Sequence, residues 1–205
     1  MVYRAHRPGP LTGAKPSTST TANHESVHVR GTENAPVTLE EFGDYQCPPC
    51  STVAGIIDDV ERAYRPHLRV VFRNFPLAMH AHAAEAAYAA EAAGLQGRFW
   101  QMHDVLYREQ SEWSKATDVK PTLIAYARVI GLDVDRFKVD MQAPKVKALV
   151  DSDQREGAER GVKSTPTIFI NNVALAPNAQ NAAGLRAAID SAVKKTSSTT
   201  GAGQK

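Results

Sequence analysis

The sequence predicts an α/β protein in which a βαβ half and a ββα half are interrupted by an α-helical insertion. Two apolar stretches flank a helical pattern between residues 36 and 75, and two more precede a helical pattern after residue 167. Between these halves, apolar residues recur mainly at helical spacing from residue 82 to residue 160. A helical block that interrupts a smaller sheet accounts for all three observations.

The composition bounds the class of protein. Of 205 residues, 42% are hydrophobic and 22% are charged, with a formal net charge of +2. These values are ordinary for a globular domain and give no reason to expect nucleic acid as a partner. No apolar run approaches the roughly 18 residues of a membrane-spanning helix, so no membrane insertion is expected. Residues 1–27 and 196–205 are rich in small and polar residues, which predicts a disordered lead and a flexible tail.

The βαβ half is predicted over residues 28–77. Residues 36–43 and 68–75 have the composition of strands, and Pro76 follows the second. Apolar residues recur at helical spacing over residues 50–64, until Pro66 ends the pattern. A strand, a helix and a strand in this span predict two parallel strands with a right-handed crossover.

The helical insertion is predicted over residues 78–161, and the ββα half over residues 162–195. The helices of the insertion are expected at residues 82–93, 99–108, 123–130, 133–141 and 146–160. In the ββα half, Asn171-Asn172 separates apolar runs at residues 167–170 and 173–175, and a helix is expected at residues 179–195. Because Asn tolerates a positive φ, this pair predicts a tight hairpin.

The two cysteines of the chain stand together as Cys47-Pro48-Pro49-Cys50, where a strand pattern gives way to a helical one. If Cys47 caps the helix and Cys50 lies in its first turn, the two sulfurs can close a short disulfide. The positive end of the helix dipole would then stabilise a Cys47 thiolate, which is the nucleophile in disulfide exchange. The motif therefore favours a thiol-disulfide oxidoreductase over a disulfide scaffold.

Pro48 and Pro49 would take the first two helical positions, where a missing N–H costs little. They withhold two backbone donors from the Cys47 sulfur, and no cation stands between the cysteines. We therefore expect a lowered pKa for Cys47, but not the lowest value known for such motifs, about 3.5.

The alternative is a metal-binding or metal-delivery module in which the two cysteines and a histidine hold copper or zinc. His80 and His82 could complete a Cys2His2 set. The chain has no second C-x-x-C, so the redox interpretation is favoured, and no cofactor or metal is expected.

Thr165-Pro166 precedes the apolar run at residues 167–170. A proline at the start of a strand removes no bond from the ladder, so a plain strand start is one interpretation. The other is a cis-proline loop packed against the disulfide. An X-Pro bond alone is cis in only about 5% of cases, but the C-x-x-C motif on the other half of the sheet favours this second interpretation.

Together these segments resemble the DsbA-like thioredoxin family over about residues 30–190. The segments are F-G-D-Y-Q-C-P-P-C, R-N-F-P-L, A-A-E-A-A, G-R-F-W-Q-M-H-D and G-V-K-S-T-P-T-I-F-I-N-N. The resemblance implies a thioredoxin fold interrupted by a helical domain, and exchange of disulfides with protein substrates. It also implies that Cys47 attacks, that Cys50 resolves, and that Thr165-Pro166 is the cis-proline pair that binds substrate.

The resemblance further aligns Glu41 with a buried acid below the redox pair. Such an acid would accept or deliver the proton of Cys50, which requires a pKa raised by desolvation. Strand alternation sends Glu40 to the opposite face. The alternative for Glu41 is a surface carboxylate on the strand.

The expected partners are polypeptide thiols and disulfides together with a redox partner protein, and a monomer is expected. The N-terminal segment lacks the apolar core of a secretory signal, so we expect a cytoplasmic protein, with export as the alternative if a signal lies outside this sequence. The direction of exchange stays open, because oxidases, reductases and isomerases share these residues and differ in reduction potential.

Overall fold

The computed structural model describes residues 28–201. Its strands are β1 (His28–Gly31), β2 (Val37–Gly43), β3 (Leu68–Asn74), β4 (Thr167–Ile170) and β5 (Val173–Ala174). They form one sheet in the order β1-β3-β2-β4-β5. Strands β2 and β3 are parallel, as predicted, and the other neighbouring pairs are antiparallel. The predicted α/β fold class is confirmed, whereas the disordered lead predicted for residues 1–27 lies outside the described residues.

Helix α1 (Pro48–Tyr64) connects β2 to β3 and forms the crossover. Its apolar face, with Val53, Ile57 and Val60, is buried against the sheet together with the last helix, α8 (Ala182–Gly201). The face of the sheet opposite α1 is covered by α7 (Pro144–Glu159). Because β2 is buried on both faces, its side chains are sheltered whichever way they point.

The helical block follows β3. Its helices are α2 (Ala83–Gly94), α3 (Phe99–Arg108), α4 (Gln110–Trp113), α5 (Lys120–Val129), α6 (Val134–Asp140) and α7. Helices α5 and α7 begin two or three residues before the predicted starts, since Pro121 and Pro144 occupy their first turns. Proline is well tolerated in the first turn of a helix. These two turns are polar, however, and so lack the apolar spacing from which the helix starts were predicted. The single turn α4 was not predicted.

The ββα half contains the predicted hairpin. Asn171 and Asn172 have φ values of 47° and 66°, so both occupy the left-handed region, as a two-residue turn of type I′ requires. Helix α8 then begins after Asn181, whose side chain accepts from the N–H groups of Ala183 and Gly184 at 3.1 Å each.

A flexible tail was predicted from residue 196, whereas α8 continues to Gly201. The Ser- and Thr-rich composition that predicts a loose tail has only a weak helix preference, and the helix extends through it nonetheless. Residues 202–205 lie outside the described residues.

Candidate active site

The loop between β2 and α1 is held by Asp44, a buried carboxylate. Its Oδ1 accepts from the N–H of Gln46 at 2.7 Å, and its Oδ2 accepts from the N–H of Leu77 at 2.9 Å. His80 Nδ1 lies 2.7 Å from the same Oδ2. These bonds join the segment before Cys47 to the segment after β3, so the position of the cysteine is fixed by two loops at once.

A second residue, Gln110, fixes the backbone of the same loop. Its Nε2 donates to the carbonyl oxygens of Tyr45 at 2.7 Å and of Cys47 at 3.0 Å. Asp44 and Gln110 were not predicted as site residues. The bond from Gln46 to Asp44 spans two residues, a pattern typical of Asp in a turn, and this is the one local feature that could have indicated Asp44. Gln110 acts across 63 or more residues and has no such pattern.

Cys47 is the N-cap of α1, and Pro48 and Pro49 are its first two helical residues, as the spacing predicted. Both thiols are free in this structure. Cys47 retains 5% of its accessible surface, whereas Cys50 retains none. The backbone N–H of Cys50 donates to the carbonyl oxygen of Cys47 at 3.1 Å, which places the second cysteine in the first turn.

The two thiols differ strongly in acidity. A hydrogen bond from the Cys50 thiol is the largest cause that lowers the pKa of Cys47, to about 6, and Thr165 and the N–H of Cys50 add smaller contributions against the cost of burial. Burial raises the pKa of Cys50 far above its ordinary value, and the bond to Cys47 and the charge of Glu41 raise it further. Cys47 is therefore the group that carries a thiolate near neutral pH, and Cys50 holds its proton.

The loop before β4 lies against Cys47. The Thr165–Pro166 peptide bond is cis, as the resemblance implied. The Cys47 thiol donates to the carbonyl oxygen of Thr165 at 3.4 Å, across 118 residues of sequence. The fold therefore brings together the redox pair and the proline loop, which lie on separate halves of the sheet.

Glu41 is 2% exposed in the middle of the sheet, between Phe72 of β3 and Ile168 of β4. This burial excludes the alternative of a surface carboxylate. Its Oε1 has no hydrogen-bond partner among the described residues. Desolvation raises the pKa of Glu41 to about 8, the charge of Cys47 raises it as well, and Arg30 opposes both. Glu41 therefore combines the burial and the electrostatic coupling to Cys47 that a proton-handling acid needs.

Arg30 of β1 is a third residue that the sequence did not indicate. Its guanidinium lies 4.5 Å from the centre of the Trp100 ring and forms ion pairs with Asp58 and, at 3.2 Å, with Asp104. It is the cation that lowers the pKa of Glu41. A four-residue edge strand has no distinctive pattern, so neither β1 nor the role of Arg30 could be predicted locally.

Glu40 faces away from Glu41, as strand alternation predicts. Its Oε1 accepts from Arg73 Nε at 3.0 Å, and its Oε2 pairs with Arg160. Glu40 is thus a paired structural carboxylate, whereas Glu41 is not.

The two histidines of the metal alternative are bonded to other groups. His80 is bonded to Asp44, and His82 lies 3.0 Å from Glu85 and 2.8 Å from the carbonyl oxygen of Ala116. Within residues 28–201, no group of three or more His, Cys, Asp or Glu side chains is placed to hold a metal ion. The geometry thus gives the metal alternative no support in the part of the chain that the structure describes.

A family model described as thioredoxin matches residues 23–191. The chain belongs to the thioredoxin family. Three solved structures of this fold are similar to the chain. A thioredoxin-like oxidoreductase from Silicibacter pomeroyi is 27% identical, with a TM-score of 0.68 over 82% of this chain and 92% of the other. BdbD from Bacillus subtilis is 23% identical, with a TM-score of 0.72 over 81% and 92%. Alpha-DsbA1 from Wolbachia pipientis is 19% identical, with a TM-score of 0.72 over 84% and 95%.

The DsbA-like resemblance is thereby confirmed, and the thioredoxin fold of this chain is that of DsbA-type proteins with additional helices. Curated relatives carry another name. A Na+/H+ antiporter NhaA 1 from Mycolicibacterium gilvum is 41% identical over 152 residues, which is 72% of this chain and 24% of the relative. One from Salinispora arenicola is 40% identical over 146 residues, 70% of this chain and 21% of the relative. The chain spans about a quarter of the length of these relatives. Among the described residues of this thioredoxin-family chain, no helix has the length and apolar character to cross a membrane.

Thr165 offers a test of what sets the acidity of Cys47. Its hydroxyl is buried without a hydrogen-bond partner among the described residues, so it is free to donate to the Cys47 sulfur and lower its pKa. Thr165→Val keeps the shape and removes this donor, so we expect the pKa of Cys47 to rise by up to about one unit, the equivalent of one hydrogen bond. The pH dependence of thiol alkylation measures it. Thr52→Val is the control, because that hydroxyl donates to Pro48 and not to the sulfur. An unchanged pKa in Thr165→Val would assign the acidity to Cys50 and the helix alone.

Proposed function

We propose that this chain is a protein disulfide oxidoreductase that exchanges disulfides with polypeptides through Cys47 and Cys50. The observation that carries the proposal is the split in acidity between the two thiols beside the cis-proline loop. A nucleophilic thiolate and a buried resolving thiol are the two groups that the exchange needs.

The chemistry in the reducing direction has two steps. The Cys47 thiolate attacks one sulfur of a substrate disulfide, a mixed disulfide forms, and the other substrate sulfur leaves as a thiolate. Cys50 then loses its proton and attacks the Cys47 sulfur, which releases the second substrate thiolate and leaves a Cys47–Cys50 disulfide. In the oxidising direction the same steps run in reverse, and a redox partner protein restores the starting state of the pair.

Glu41 is the group we assign to the proton of Cys50. The burial that raises the pKa of Cys50 makes its deprotonation the difficult part of the second step. A carboxylate whose pKa is about 8 can take up and return a proton near neutral pH. The charge of Glu41 is itself one cause of the raised pKa of Cys50, which couples the two groups electrostatically.

Thr165 and Pro166 are assigned to the substrate. The carbonyl oxygen of Thr165 is within reach of Cys47, so a peptide whose sulfur bonds to Cys47 would run along this loop. An extended segment could then pair with the backbone of Thr165 in the manner of strand addition.

The experiment that tests the proposed function is catalysis of disulfide exchange in a model substrate. Reduced protein should accelerate the reduction of insulin disulfides, or oxidised protein should accelerate the oxidation of a reduced, unfolded protein with cysteines. Equilibration with glutathione buffers gives the potential of the pair. Absence of acceleration in both directions, with both thiols shown to be present, would refute the proposal.

The potential of the pair should fall between that of a dedicated reductant, about −270 mV, and that of the strongest oxidase, about −120 mV. The pKa of Cys47, about 6, lies between the values typical of those two extremes, roughly 7 and 3.5. A more acidic Cys47 stabilises the reduced form and so raises the potential. A measured potential near either extreme would show that another group sets it.

Pro49→His should raise that potential. The side chain of residue 49 is exposed at the start of α1, where an imidazolium would stabilise the Cys47 thiolate and hence the reduced form. We expect a lower pKa for Cys47 and an upward shift of roughly 30 mV or more, the equivalent of about 1.4 kcal/mol. Pro49→Gln is the matched neutral control. A shift of equal size in both variants would attribute the effect to loss of proline and not to charge.

A further inference from the structure

A cavity of about 250 Å³ lies in the helical block, and none of its lining residues belongs to the redox site. Its size is just below the range of small-molecule pockets, about 300–1,000 Å³. Four elements of the block contribute to it: α2, α5, α6 with the residues that follow it, and α7. The lining residues are Glu85, Tyr88, Lys120, Ile124, Lys138, Met141, Gln142 and Lys147.

The apolar part of the cavity is formed by Tyr88, Ile124 and Met141. All three are partly buried and pack against the core of the helical block. An aromatic ring, a branched aliphatic chain and a thioether make a surface suited to an apolar or aromatic body.

The charged part of the cavity is positive. Three lysines face one carboxylate, Glu85. Lys138 forms an ion pair with Asp135 at 3.0 Å, whereas the pair between Lys120 and Glu85 is longer, at 3.9 Å. Glu85 is shared, since it also bonds to His82. Lys147 forms no ion pair with any residue in the described part of the chain.

Two of these lysines stand where a cation is unfavourable. Lys120 and Lys147 lie in the first turns of α5 and α7, at the positive ends of the helix dipoles. Neither first turn contains an acidic residue, and only α5 has a carboxylate at its N-terminus, that of Asp118, which accepts from the N–H of Lys120 at 3.0 Å. An anion between these groups would relieve the repulsion, and a local electrostatic conflict of this kind is typical of a functional site.

We propose that this cavity binds a small organic anion that carries a carboxylate on an apolar or aromatic body. The carboxylate lies between Lys120 and Lys147, and the body rests on Tyr88, Ile124 and Met141. Both parts are required, because the cavity is too small and too apolar for a large polyanion and too positive to favour a neutral ligand. The site does not depend on the redox function proposed above.

The test uses three probes that separate charge from ring. Benzoate has both, benzyl alcohol has the ring alone, and acetate has the charge alone. Each is titrated into the full chain, and the methyl signals of Ile124 and Met141 are followed by NMR. We expect benzoate to shift these signals saturably and to bind at least tenfold more tightly than either of the other probes. Equal affinity for benzoate and acetate, or no shift with benzoate, would overturn the proposal.

Charge variants locate the anion. Lys147→Glu and Lys120→Glu should each weaken benzoate binding at least fivefold, and Glu85→Gln should strengthen it because it removes the one carboxylate of the cavity. Lys145→Glu is the matched control, since this exposed lysine is also in the first turn of α7 but does not line the cavity. Equal weakening by Lys145→Glu would show a general surface effect and would also overturn the proposal. Unchanged far-UV circular dichroism confirms that each variant is folded.

Discussion

Replacing Cys47 with serine should abolish disulfide exchange, with a loss of about a thousandfold or more, as is usual when a nucleophile is removed. Cys47 is the thiol with the lowered pKa and the one that retains accessible surface. No other residue can replace it, because the chain has two cysteines and burial keeps the other protonated. The measurement is the rate of insulin reduction under fixed glutathione.

The matching variant, Cys50→Ser, should behave differently. Cys47 can still attack, but nothing resolves the mixed disulfide, so a covalent complex with substrate should accumulate and be visible on a non-reducing gel. In this variant the pKa of Cys47 should also rise, because its largest stabilising hydrogen bond comes from Cys50. Ser51→Ala is the control, since that hydroxyl donates to the carbonyl oxygen of Tyr107 and not to either sulfur. Accumulation of a complex through Cys50 in the Cys47→Ser variant would reverse the assignment.

The elements that the sequence predicted well are those with a strong local pattern. The spans predicted for β2, β3, α3 and β4 agree with the structure to within one residue, since each is defined by an apolar run or period with a clear stop. The hairpin at Asn171-Asn172 was predictable for a similar reason, because a specific turn needs a specific residue type. The edge strand β1 and the turn α4 have four residues each, too few to show a period.

The site was predictable only in part. The spacing of Cys47 and Cys50 is a local pattern with a chemical meaning, and their places at the cap and first turn of α1 follow from it. The approach of Thr165 to Cys47 spans 118 residues, and it was expected from the combination of Thr165-Pro166 with the C-x-x-C motif and from the family resemblance, not from local spacing. Arg30 and Gln110 act through tertiary contacts, and a polar residue in a short strand or a single helical turn has no pattern that distinguishes it from an ordinary surface residue. Asp44 had only its turn pattern with Gln46 to indicate it, and its bond to the segment after β3 could not be predicted.

Glu41→Gln should change the pH dependence of stability. A folded-state pKa of about 8, against an ordinary value of 4.5, means that the folded protein retains a proton that the unfolded chain releases. Stability from this group is therefore greatest at low pH and is lost as pH rises from about 4.5 to about 8. At pH 7 the cost of burying Glu41 is on the order of 3 kcal/mol. Glutamine has the same shape and no charge, so the variant should be the more stable protein at pH 7 and above.

The titration of Cys47 changes the pH dependence of stability in the opposite direction, so its contribution must be separated from that of Glu41. Its pKa is lowered to about 6 from an ordinary value of 9, so its contribution to stability grows as pH rises through that window. Comparing Glu41→Gln with the unaltered protein at each pH removes most of that contribution, because both proteins contain Cys47. Urea unfolding of the reduced proteins at pH 5 and pH 8 gives the two differences in free energy of unfolding. The exposed carboxylate Glu33 provides the control, since Glu33→Gln should change stability by no more than about 0.5 kcal/mol at either pH.

The same substitution should slow the resolving step while leaving the attacking step intact. Without Glu41 the proton of Cys50 loses the acceptor that we assign to it, and a positioned acid or base is typically worth about 100-fold or more in rate. Alkylation of Cys47 should lose little, because Glu41 is not among the groups that lower the pKa of Cys47. Mixed disulfide should therefore accumulate transiently in Glu41→Gln, as it does permanently in Cys50→Ser.

If the stability difference grows with pH but the mixed disulfide is resolved as fast as in the unaltered protein, Glu41 is a buried acid without a role in proton transfer. If the stability difference is the same at pH 5 and pH 8, burial does not hold the carboxyl of Glu41 protonated.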